Sequence, residues 1–128
     1  MSFKKIYDRL SHNLNGFWRA YRWFIIVFVT ALLCDALSTI HFMRREGHPD
    51  SEIHLVIRMI AYIFGPIIGP LIGFVGKVMC GLAVCIYLRR WAPYIFTPVI
   101  VLSFWAAWYN VWGWKTDYIP NIFYIIPW

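Results

Sequence analysis

Apolar positions follow two patterns along this chain. Over residues 1–22 they recur at spacings of three and four, with Ile6, Leu10, Leu14, Phe17, Trp18 and Tyr21 set among Lys4, Lys5, Arg9, Arg19 and Arg22. That is the period of a one-sided helix, and it predicts an amphipathic helix lying on a membrane surface. Beyond it the apolar residues close up into nearly unbroken runs at 23–43, 67–88 and 93–113. A run of about 20 such residues matches the roughly 30 Å hydrocarbon thickness of a bilayer, and a helix satisfies its own backbone polar groups there. The pattern predicts an all-α integral membrane protein in one membrane domain, residues 1–128, with no soluble domain of its own.

The stretch from 53 to 88 is awkward. As one straight helix it would be roughly 54 Å long, too long for one crossing and too short for two with a turn. Gly65-Pro66 and Gly69-Pro70 mark the break, because proline donates no helical hydrogen bond. The expectation is a re-entrant or interfacial amphipathic helix at 52–64 carrying Arg58, followed by a full span at 67–88. Before it, the polar loop 44–52 offers Asp50 or Ser51 as a cap. Arg89-Arg90-Trp91 is a short connection, and Pro93 opens the third span, which Pro98 bends. The tail 114–128 is too short to cross and, with Phe123, Tyr124 and Trp128, reads as an interfacial aromatic segment docking on a partner. The first run could be mistaken for a signal peptide ending at Leu32-Leu33-Cys34, but Leu33 is too large for the position before a cleavage cysteine, so an uncleaved span is expected.

Composition strengthens the membrane reading. Of 128 residues, 61% are hydrophobic and 14% charged, against roughly 45–50% and about 25% in soluble domains. Aromatics reach 20%, including 8 Trp and 8 Tyr, more than belts at the ends of three spans require. The net charge of +6 sits at the ends of the apolar runs, where it reads as topology signal and contact to anionic lipid rather than nucleic-acid binding. Three spans place the N-terminus and the Arg89-Arg90 turn on one side. Seven basic residues there against four on the other put the N-terminus in the cytoplasm and the C-terminus outside, in a prokaryotic inner membrane. Cys34, Cys80 and Cys85 all lie inside apolar runs and read as buried thiols, with no disulfide framework.

The informative constellation lies within the spans. Gly65, Gly69, Gly73, Lys77, Gly81 and Cys85 form a row at spacing four, whose small members let helices approach closely. Lys77 is mid-span, where a bare charge costs about 2.5–3.5 kcal/mol on insertion scales. It therefore needs a partner. Asp35 shares a face with Ala31, Ser38 and Thr39, and the expectation is a buried Asp35–Lys77 ion pair helped by Ser38 or Thr39. The third span adds Ser103, Ala106, Ala107, Asn110 and Gly113 as a small or polar face, with Asn110 reaching across. Three roles are open for this cluster: fixing helix register, a proton or ion path, or pairing with a charge from another subunit.

His41, His48 and His54, with Glu46, Asp50 and Glu52, crowd the first loop. Carboxylate and imidazole suit zinc, manganese or iron, but the spacing matches no ligand motif, so no metal is assigned; a pigment or haem on His41 has only a single histidine behind it. No nucleophile elbow, phosphate loop or dinucleotide fingerprint occurs, and catalysis is not expected.

Asp35 and Thr39 in the first span, the Gly47-His48-Pro49 loop with its acids, Lys77 in the next span and the late Asn110 together resemble a family of small uncharacterised prokaryotic membrane domains, over about residues 30–113. That family carries Asn-Pro after its acid, where this chain has its proline after His48. The resemblance implies a multi-helix fold and a polar cluster, and implies no activity. The functional expectation is a non-catalytic accessory subunit of a larger membrane complex, respiratory or photosynthetic, in contact with lipid and other membrane subunits and without a cofactor, though pigment contact is compatible with it. The alternative is a small transporter or ion-conducting oligomer using Asp35 and Lys77.

Overall fold

The computed structural model describes residues 3–46 and 55–112, with side chains for 3–44 and 55–112. These residues are all helical or in short turns: α1 (Phe3–Leu14), α2 (Phe17–Glu46), α3 (Leu55–Tyr87), a 3-10 turn (Arg89–Trp91) and α4 (Ala92–Val111). Three of the helices are long and apolar enough to cross a membrane. The expected site at His48, Glu52 and His54 and the tail Phe123, Tyr124 and Trp128 lie outside the described residues.

α1 ends because Gly16 adopts a left-handed φ of 72°, the usual way a glycine terminates a helix. α2 restarts at once, with Ala20 N–H bonded to Gly16 O at 3.1 Å, and bends at Tyr21. It therefore begins earlier than the expected span at 23–43.

α3 is broken at Gly65, whose φ of 91° and ψ of 168° belong to a region essentially reserved for glycine. Pro66 then opens the second arm, where its missing N–H costs nothing. The break folds the helix back on itself. A Cβ built on Gly69 would stand 2.6 Å from Ala61 Cα, and one on Gly73 would overlap the Ile57 side chain. Along a straight helix those pairs would be about 12 and 24 Å apart. Residues 55–64 and 66–87 thus form a helical hairpin.

This assigns the glycine row its partners. Gly69 and Gly73 accept the short arm of their own element rather than the first span, whereas Gly81 accepts the Phe28 ring of α2. Gly65 is the hinge, with nothing within 4 Å of an added Cβ.

α2 is the central helix, packed on both α3 and α4. One core cluster joins Phe17, Ile25, Phe28 and Leu32 of α2 to Cys85 of α3 and to Ala92 and Phe96 of α4. The Phe28 and Phe96 rings meet tilted at 5.0 Å, a favourable aromatic geometry. A second cluster sets Met43 against Ile57 and Ala61 of the short arm. α4 starts with proline in its first turn, as helices tolerate well. Of the three cysteines only Cys85 is buried; Cys34 is half-buried and Cys80 exposed. Each of the three long helices leaves part of its surface exposed, and Cys80 falls on the outer side of α3, which corrects the expectation of three buried thiols.

Candidate functional site

The polar residues of the three long helices meet at one place. Lys77 Nζ donates to Asp35 Oδ2 at 2.9 Å. Ser38 Oγ donates to the backbone carbonyl of Asp35 at 2.8 Å, a local back-bond that a serine makes readily within a helix. Asn110 Nδ2 of α4 donates to both Ser38 Oγ and Thr39 Oγ1 at 3.1 Å. Ser38 and Thr39 are buried, as is Ser103. Among the described residues no buried side-chain polar atom lacks a partner.

The pair is not the buried one that the sequence suggested. The Asp35 side chain is 13% exposed, but that of Lys77 is 38% exposed. The aspartate sits between helices, while the lysine reaches it from the less enclosed flank of α3. Nor does Ser38 assist the carboxylate, since its hydroxyl proton goes to the backbone carbonyl of Asp35. Asn110 therefore ties α4 to α2 through the hydroxyls, and Lys77 ties α3 to α2 through the carboxylate.

Beside the pair lies a cleft of about 10 Å³, lined by Asp35, Thr39, Ile57, Pro70, Phe74 and Lys77 among others. That is on the order of the room one water needs. The sequence did not mark Ile57 for this place, because only the fold-back at Gly65 brings the short arm to it, whereas Pro70 and Phe74 lie on the same arm as Lys77. His41 is exposed on α2, and no group of three metal-ligating side chains occurs among the described residues. Gly65, Gly69, Gly73 and Gly81 have the packing roles given above.

A second polar assembly occupies the opposite end of the bundle. Asn13 Nδ2 donates to the carbonyls of Ile86 and Tyr87 at 2.9 and 3.1 Å. Arg89 Nη1 donates to the carbonyls of Asn13 and Asn15 at 3.1 and 2.8 Å, and Tyr21 OH donates to Arg89 O at 3.0 Å. The last carbonyls of a helix have no partner within it, so these bonds close the ends of α1 and α3 against each other. Sequence reasoning missed Asn13 and Tyr21. The available signal was an amide on an amphipathic helix facing a turn with two arginines.

No family model matches the chain, and neither the curated proteins nor the solved structures contain a match to it. The resemblance carried by Asp35, Thr39, Lys77 and Asn110 rests on those residues alone.

Proposed function

We propose that this chain is a non-catalytic accessory subunit of a larger integral membrane complex of respiratory or photosynthetic type, held in a prokaryotic cytoplasmic membrane with its N-terminus inside. The observation that carries the reading is the flank of α3 at Lys77. The Lys77 side chain is 38% exposed on that flank. Hydrocarbon does not solvate an ammonium, and among the described residues Lys77 donates only to Asp35, although a lysine has three donors. A neighbouring polypeptide supplies what lipid does not. Gly76, next to the lysine, has open space around an added Cβ, and Cys80, one turn on, is exposed. Small residues at spacing four let a second helix approach closely.

Gly76→Leu tests this without disturbing the bundle, since no atom of the chain lies where the new side chain begins. The expected outcome is loss of co-purifying polypeptides from a variant that stays helical and monodisperse. Retention of the same polypeptides would sink the docking role of this flank.

The cleft beside Asp35 and Lys77 favours a second reading, a proton- or ion-conducting oligomer in which one water links the pair to a path between copies. Flux into liposomes that depends on Asp35, and is lost in Asp35→Asn, would support it; no flux in the unaltered protein would exclude it.

A further inference from the structure

Between α1, the first turns of α2 and the turn that joins α3 to α4 is a cleft of about 510 Å³, within the roughly 300–1,000 Å³ range of small-molecule sites. Arg9, Arg89 and Arg90 line it, together with Tyr21, Tyr87 and Trp91. We propose that this cleft binds the phosphate-bearing headgroup of an anionic phospholipid. The inference rests on the membrane reading of the chain and is independent of any partner subunit.

Three features converge. First, the arginines are held in place without being neutralised. Arg89 is anchored by its two bonds to the end of α1, which leaves other guanidinium N–H groups available, since the group has five. Arg9 lies over the Tyr87 ring at 4.4 Å, a cation–π contact that uses the face of the guanidinium and leaves its hydrogen-bonding edges open. Arg90 is exposed. Among the described residues none of the three has a carboxylate partner, the Asp35–Lys77 pair being elsewhere. Planar guanidinium forks match phosphate oxygens.

Second, the cleft lies where a headgroup would be. Trp18, Trp23, Trp91 and Tyr94 at this end are all well exposed, as expected of rings at a membrane–water boundary. Third, exposed apolar side chains such as Val84 of α3 and Val27 of α2 lie further along the helices from the cleft, offering surface to acyl chains. A soluble phosphate would use the arginines but not this surface. Basic pockets at the inner ends of membrane helices favour anionic headgroups over zwitterionic ones.

Native mass spectrometry of the intact chain in detergent, titrated with phosphatidylglycerol or phosphatidylcholine, tests the proposal. Phosphatidylglycerol should be retained preferentially. The preference should fall about fivefold for each arginine removed in Arg9→Gln and Arg90→Gln, while a circular-dichroism spectrum shows the fold intact. Arg89 is left alone because it ties α1 to the turn. Equal retention of the two lipids, an unchanged preference in the double variant, or displacement by millimolar inorganic phosphate would each overturn the proposal, the last by pointing to a free anion. A chain recovered in the soluble fraction, rather than with membranes, would instead overturn the membrane reading itself.

Discussion

Asn13 and Arg89 tie two helix ends together: the Asn13 amide donates to the carbonyls of Ile86 and Tyr87 at the end of α3, and Arg89, in the turn that follows, donates to the carbonyls of Asn13 in the last turn of α1 and of Asn15 just beyond it. The amphipathic N-terminal helix is thereby fastened to the turn between α3 and α4 largely through polar groups, since α1 has no fully buried residue. Arg89→Gln should therefore release α1 while sparing the long helices. Limited proteolysis should then cut near Gly16 several times faster, at a total helix content reduced by α1 at most. Unchanged cleavage would mean that the apolar face of α1 suffices to hold it.

The Asp35–Lys77 contact should be worth less than a fully buried pair. Removing one partner of a buried pair costs roughly 3–5 kcal/mol, and exposed pairs are worth about 0–1 kcal/mol in water. With Asp35 mostly enclosed and Lys77 38% exposed, Lys77→Met should cost about 1–3 kcal/mol between those limits. Asp35→Asn in the same chain should recover much of the loss, because the stranded carboxylate is then gone. Thermal unfolding of both single variants and the double variant in detergent gives the coupling directly; additive losses would show that the two side chains do not interact energetically.

Two glycines of α3 should respond in opposite directions. Gly69→Ala places a Cβ 2.6 Å from the Ala61 backbone, so the hairpin must open, at a cost of about 1–3 kcal/mol. Gly76→Ala meets nothing and should stabilise the helix by about 0.5–1 kcal/mol through its better propensity. Equal melting shifts for the two would show that the arms of α3 are not folded together.

How much of this was legible in the sequence depends on the kind of signal. The presence of three long apolar helices was, because uninterrupted apolar runs are strong local signals. The partnership of Lys77 with Asp35 followed from the cost of a mid-span charge, whereas Asn110 was legible only as reaching across the bundle, without its partners Ser38 and Thr39. The direction of the bend at Gly65 was not legible: a glycine row says that something approaches closely, not whether it is the next helix or the preceding arm of the same one. Exposure was equally hidden. Lys77 and Cys80 lie in apolar runs, yet a helix with one packed face leaves half its residues outside, and periodicity alone does not say which half. The arginine cleft depends on α1 folding against residues more than sixty positions away, which no local pattern encodes.

We propose that this chain works as part of a larger membrane assembly. Native mass and polypeptide content after gentle detergent extraction from its own membranes test it most directly. The expected result is a particle containing other polypeptides, stable enough to survive sizing. A particle containing this chain alone would contradict it.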